Sequence, residues 1–216
     1  MNSTLCIRRN GLLLVLAMSI AAALCAAGPL DKGLLDPAWF GEDIEFRTSG
    51  RLDYFWVKPG LSLQGARIQI AEWPDPLFLG PQADINSKDS ARAFELASSM
   101  PTWIRGALSS ALAGYAEVSK DDGDYVLSGR FVDVKASDNV AKSMIGFGAG
   151  AGSATWDIKL TDKVTGELVV AIHHRSLSST HMSDIDDKIV KWLYKDFGPA
   201  MRRDFSDYAS AKAVRK

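Results

Sequence analysis

The strongest pattern in the chain lies between residues 153 and 177. Ala154, Trp156, Ile158 and Leu160 alternate with Ser153, Thr155, Asp157 and Lys159. A period of two places the apolar set on one face of a strand and the polar set on a wet one. Asp162-Lys163-Val164-Thr165-Gly166 follows, with a side-chain acceptor at its start and a glycine for positive φ at its end. Leu168, Val170 and Ile172 resume the alternation, so a hairpin is predicted. A second strand is predicted over 125–134, where the apolar phase slips near Gly129 as a β-bulge would make it slip. A third is predicted over 61–73, ending at Pro74 and Pro76.

Helical spacing appears in three places. Asn86 or Ser87 can cap a helix running to Ser98. Pro101 suits the start of a second helix, with Ile104, Ala107, Leu108, Ala111 and Leu112 on one face and Gly114 just past its end. Ile185, Ile189, Leu193 and Phe197 form a third stripe, opened by the capping-box-like pair Ser183 and Asp186 and closed by Gly198-Pro199. The order is strand, helices, four strands, helix. It predicts an α+β, two-layer domain with a largely antiparallel sheet and helices on one face. The domain spans 61–208. Residues 28–60, interrupted by Pro29, Pro37 and Pro59, are expected to be irregular and to lie over it, and residues 209–216 are expected to form a frayed basic tail. No internal repeat is present.

The first block has a different pattern. Arg8 and Arg9 precede a nearly unbroken apolar run over 12–24, followed by Cys25-Ala26-Ala27. This is the build of a secretory signal peptide spanning 1–27, cut after Ala27 or, as a second site, after Ala23. The apolar run falls short of the roughly twenty residues a membrane span needs. Lipidation at Cys25 is the competing fate, disfavoured because Leu24 stands where the lipoprotein peptidase requires a small residue. The expected location is therefore the periplasm, with no transmembrane span in the mature chain.

Composition changes once this leader is removed. The full chain of 216 residues has 25 basic and 26 acidic side chains, a net charge of -1. Without the first 27 residues, 189 remain at net charge -3, both cysteines are gone and all six tryptophans stay. Such a charge argues against a nucleic-acid partner. Without cysteine there is no disulfide, thiolate nucleophile or cysteine metal site.

Four features suggest chemistry, and each has a plainer reading. The run Gly146-Phe147-Gly148-Ala149-Gly150-Ala151-Gly152 looks like a phosphate cradle, but Ser153 and Ala154 follow it where a P-loop needs Lys-Ser/Thr, and it leads into a strand rather than a helix. It reads better as a connection or a contact surface. His173, His174 and His181 cluster within nine residues, but neighbours on a strand point to opposite faces and cannot readily share an ion. Surface or strand-end positions are expected for them. Asp184, Asp186 and Asp187 are explained by a helix start, where the dipole favours negative charge. Trp73, Trp103, Trp156 and Trp192 read as core, whereas Trp39, Phe40, Phe55 and Trp56 read either as core or as a surface for a partner or ligand. No catalytic, cofactor-binding or metal-ligating residue is assigned, no cofactor is implied and no enzyme is expected.

Four features occur together: the leader, Val57-Lys58-Pro59-Gly60, the glycine run at 146–150, and Leu160-Thr161-Asp162-Lys163-Val164-Thr165-Gly166-Glu167. In these the chain resembles a family of uncharacterised bacterial envelope proteins, a domain of unknown function whose members are often described as lipoproteins, over about 57–205. More distantly, its element order is similar to the TolB amino-terminal domain and the curli secretion lipoprotein. The resemblance implies a non-enzymatic envelope interaction or assembly domain with an envelope-protein partner and carries over no catalytic residue. The alternative is a module for a small ligand or metal, using the region of His173 and His181 or the aromatic segment. Neither partner identity nor oligomeric state follows from the sequence.

Overall fold

The computed structural model describes residues 34–41, 44–76, 87–136, 152–178 and 184–214, all within the unit Gly33–Lys216. The expected leader, Cys25, most of the glycine run, His181 and Ser183 lie outside the described residues.

The elements run α1 (Pro37–Phe40), β1 (Arg47–Ser49), β2 (Asp53–Val57), β3 (Arg67–Ile70), α2 (Ser87–Ala111), β4 (Glu117–Ser119), β5 (Tyr125–Lys135), β6 (Ser153–Asp162), β7 (Leu168–Leu177), α3 (Ile185–Trp192), a π-helical turn (Leu193–Phe197), α4 (Gly198–Arg202), a 3-10 turn (Ser206–Tyr208) and β8 (Lys212–Ala213). One eight-stranded sheet has the order β4-β3-β5-β6-β7-β2-β1-β8. β3 runs parallel to β4 and β5. The remaining neighbours are antiparallel. The fold is α+β with a largely antiparallel sheet.

The main core lies between the sheet and the longer helices. Ile158, Leu160, Trp156, Ile172, Phe131 and Leu127 from the strands meet Ala93, Leu96, Met100, Ile104 and Leu108 of α2, and Ile189, Leu193 and Phe197 beyond it. The opposite, outer face has a smaller cluster in which Phe40 and Phe46 pack against Tyr54 and Ala171, with Trp39 and Trp56 at its rim. The single-turn α1 thus sits across the sheet from the other helices.

The long hairpin forms where the pattern predicts it. Asp162 Oδ1 accepts from Val164 N (2.9 Å) and Thr165 N (2.8 Å), and Gly166 adopts φ +71°. These N–H groups, Thr165 first, hold the Asp162 carboxyl below its usual range. The register of β5 against β6 shifts between Phe131 and Asp133, a few residues past Gly129 where the phase slips.

Five expectations need correction. Residues 28–60 are not wholly irregular, since α1, β1 and β2 fall among them and β2 lies inside the sheet. Tyr54 and Trp56 face outward and Phe55 inward, and both sides are covered, so Asp53–Val57 shows no alternation of polarity. The tail is not all frayed, because β8 pairs with β1. The helix expected to stop at Ser98 continues through Pro101 to Ala111. Its buried residues at 93, 96, 97, 100, 104, 107 and 108 keep a single phase across the proline, and their burial outweighs the roughly 3 kcal/mol a mid-helix proline costs. Asp184, not Ser183, caps α3 by accepting from Ile185 N, and the helical path runs on past Gly198-Pro199 to Arg202. Finally, the predicted wet face of β6 is dry at its centre: Thr155 and Asp157 are both fully buried.

Candidate functional site

β5, β6, β7 and β2 place Arg130, Asp157, His173 and Tyr54 in one row across the outer face. Arg130 Nε donates to Asp157 Oδ2 at 2.8 Å, and His173 Nδ1 lies 2.7 Å from Asp157 Oδ1. With both carboxylate oxygens accepting, the His173 proton is fixed on Nδ1. Nε2 is buried with no hydrogen-bond partner among the described residues. Arg130 Nη2 donates to Asp36 Oδ2 at 3.1 Å, which ties the segment before α1 to the sheet.

Trp39, from α1, caps this row. The guanidinium carbon of Arg130 is 4.5 Å, and Lys159 Nζ 4.3 Å, from the Trp39 ring centroid. Burial first, and then the charge of Arg130, lower the Lys159 pKa. The base of the site is sealed, with the Asp157 side chain fully buried and that of Arg130 5% exposed, whereas Asp36 at the rim is 39% exposed.

A second arrangement occupies the inner face of the same strand. His174 stacks on Trp192 (centroids 4.3 Å apart, planes 14° apart), and Trp192 stacks on Phe197 (5.3 Å, 8°). Trp192 and Phe197 flank the π-helical turn, whose wider winding lets residues five apart share a side. His174 Nδ1 is 2.9 Å from Asp53 Oδ2 but out of line for a straight hydrogen bond, and Nε2 is 3.3 Å from Ser176 Oγ. Asp53 has φ +55°, and its Oδ2 also accepts from Arg175 N at 2.9 Å. Burial pushes the Asp53 pKa up, but the nearby His174 and the Arg175 N–H outweigh it and hold it below the usual range. Asp53, His174 and Ser176 lie in line on this face, but with no hydrogen bond from His174 Nδ1 to Asp53 they do not form a proton relay. The Ser176 hydroxyl belongs to a residue only 8% exposed, and the imidazole is packed between Trp192 and Trp156.

His173 and His174 are therefore not surface or strand-end residues. They are buried in mid-strand, on opposite faces, and each is paired with an aspartate. Sequence reading missed both partners because they lie 16 residues away in Asp157 and across β2 in Asp53. The available signal was a pair of histidines in an apolar strand whose hairpin partner carries an aspartate, Asp157, in mid-strand. The acidic residues of α3 separate as follows: Asp184 caps the helix, Asp186 and Asp184 pair with Arg92 of α2, and Asp187 is exposed. Trp73, Trp156 and Trp192 are buried, Trp103 packs partly buried against the main core, and Phe40 and Phe55 are core, leaving Trp39 and Trp56 half-buried on the outer face. Among the described residues no group of three or more His, Cys, Asp or Glu is arranged to hold a metal. No helix among them is long and apolar enough to cross a membrane.

The fold is that of an α+β protein with a mixed eight-stranded sheet and its long helices on one main face. The chain belongs to the family described as domain of unknown function (DUF4410), which matches residues 59–182, a shorter span than the 57–205 expected. No curated protein matches it in sequence. Among solved structures it is similar to the PelC dodecamer from Paraburkholderia phytofirmans in two crystal forms, at 13% and 12% identity, covering 69% and 68% of this chain and 95% and 94% of that one, with TM-scores of 0.45 and 0.44. It is also similar to protein XCC0632 from Xanthomonas campestris, of the DUF330 family, at 11% identity, 69% and 89% coverage and a TM-score of 0.42. None of these matches shows the expected likeness to the TolB amino-terminal domain.

Proposed function

We propose that this chain is an exported, non-enzymatic interaction domain of the bacterial cell envelope, acting in the periplasm on another envelope protein. The observation that carries the reading is the outer-face row. Its ionisable groups, Arg130, Asp157 and His173, are bound to one another beneath α1, so they hold the fold instead of facing a substrate. What the row presents at its rim is a half-buried tryptophan flanked by cations, a composition that suits a protein partner. The leader over 1–27 is expected to supply the compartment, with cleavage after Ala27, cleavage after Ala23 and the disfavoured lipidation at Cys25 as its alternative fates.

A photocrosslinking amino acid placed at Ser128, beside Lys159 on the outer face, tests this in cells. Capture of one defined envelope protein, lost when the crosslinker is moved to the exposed turn at Val164, is the expected result. Retention of the protein in the cytoplasm would overturn the envelope reading. Labelling of Ser176 by a fluorophosphonate, abolished by His174→Ala, would overturn the non-enzymatic one.

A further inference from the structure

We infer that the outer-face patch of Lys159, Arg130 and Trp39 is a carboxylate-binding site for an acidic peptide segment, and that Asp36 is its built-in occupant. The inference deepens the interaction-domain reading and rests on it for the identity of the partner. It begins from two cations held side by side. Lys159 and Arg130 both stand over the ring of Trp39, close enough for Arg130 to oppose protonation of Lys159. Like charges held together near a surface repel unless an anion lies between them.

Two described carboxylates are near, and neither serves Lys159. Asp157 spends both oxygens, one on Arg130 and one on His173, and is fully buried. Asp36 meets Arg130 through Oδ2. Among the described residues Lys159 has no acidic partner. Its ring contact with Trp39 offsets part of the cost through cation–π attraction.

The fold already shows which group this place accepts. Asp36 arrives on a length of polypeptide, presents a carboxylate to Arg130 Nη2 at 3.1 Å and stays 39% exposed at the rim. A peptide carboxylate entering from solvent would meet Lys159 first, reach the same guanidinium nitrogen, and displace Asp36. Trp39 would then form the apolar wall against which the peptide backbone lies, as aromatic residues do at the centres of protein interfaces. The Arg130–Asp157–His173 row beneath would stay intact, because the exchange involves only the nitrogen that faces Asp36.

The test uses purified protein carrying 5-fluorotryptophan, with the Trp39 signal assigned by Trp39→Phe, and a synthetic hexapeptide containing two glutamates. Fluorine NMR at low salt should show the Trp39 resonance shift saturably, with weaker binding as salt is raised. Lys159→Gln should weaken binding about fivefold or more, Lys159→Arg should keep it, and Asp36→Asn should tighten it by removing the internal competitor. Equal binding of the glutamine-substituted peptide would overturn the inference, as would an Asp36→Asn variant that binds no more tightly. Saturation by acetate alone, at the concentrations at which the peptide saturates, would overturn the peptide as ligand. Because the readout needs no cellular partner, its failure leaves the crosslinking result intact, and the converse also holds.

Discussion

His173 and Asp157 face each other across β7 and β6 with Nδ1 and Oδ1 2.7 Å apart and both side chains essentially buried. The same carboxylate also receives Arg130, so it is the shared acceptor of two donors from two neighbouring strands. A buried ion pair of this kind adds little net stability by itself, but removing one partner leaves an uncompensated charge. Asp157→Ala should therefore cost about 3–5 kcal/mol, the range for an orphaned buried charge. His173→Ala should cost less, because Arg130 keeps its acceptor. Urea denaturation of the two variants checks the order, and a smaller loss for Asp157→Ala would show that Asp36 alone satisfies Arg130.

Asp53 contributes to the acid limb of stability. Its folded pKa is lower than its unfolded one, so its contribution is fully present above the ordinary carboxylate value near 3.8 and is lost as pH falls through the folded value. The expected outcome is that wild type loses stability below pH 3.8 more steeply than Asp53→Asn, which retains a residue tolerant of the left-handed φ. At neutral pH, Asp53→Ala should cost about 1–3 kcal/mol, combining the lost charge-assisted hydrogen bond from Arg175 N with a strained backbone. Thermal melts from pH 2.5 to 7 would decide the matter, and parallel wild-type and Asp53→Asn curves would refute the assignment.

Lys159 acts on the alkaline side in the opposite sense. Its pKa is lowered in the fold, so the unfolded chain binds its proton more tightly and the folded state is penalised while Lys159 is charged. As pH rises through the folded value toward the unfolded 10.5, that penalty is relieved. Lys159→Met, which keeps the stem over Trp39 and drops the charge, should raise the melting temperature at pH 7 and flatten this rise. A lower melting temperature would mean that the ammonium is compensated.

How much of this was legible in the chain depends on whether an element's residue types alternate, whichever face is buried. β6 and β7 alternate, and the Asp162–Gly166 turn has its own local chemistry, so the hairpin could be read directly. Asp53–Val57 is covered on both sides and carries Tyr54, Phe55 and Trp56 in succession, so no period marks it as a strand. Pro101 is a local signal for a helix start, and only the tertiary burial of Ala97, Met100 and Ile104 overrules it. The site was the least legible part. Asp36 and Trp39, Arg130, and Lys159 come from three places in the sequence, and only the fold puts them together. The polar residues of β6 implied a solvated face, yet α1 and its flanks pack over that side of the sheet and the row through Asp157 is buried.

Two glycines should respond in opposite ways to the same substitution. Gly129 faces the main core in mid-strand, and a methyl group there would fall 2.6 Å from the Asp157 carbonyl oxygen and inside the indole of Trp73. Neither neighbour can yield cheaply, because one is sheet backbone and the other is a buried ring touching Phe131. Gly129→Ala should thus destabilise by about 1–3 kcal/mol, the usual cost of overpacking. Gly106 lies inside α2, where an added methyl would meet only the Tyr194 hydroxyl, the far end of a side chain that is 46% exposed and free to swing away. There the gain in helix propensity dominates, and Gly106→Ala should stabilise by about 0.5–1 kcal/mol. Differential scanning calorimetry of both variants tests the pair: a destabilised Gly106→Ala would mean that Tyr194 is pinned in place, and an unchanged Gly129→Ala would mean that Trp73 does not pack on β5.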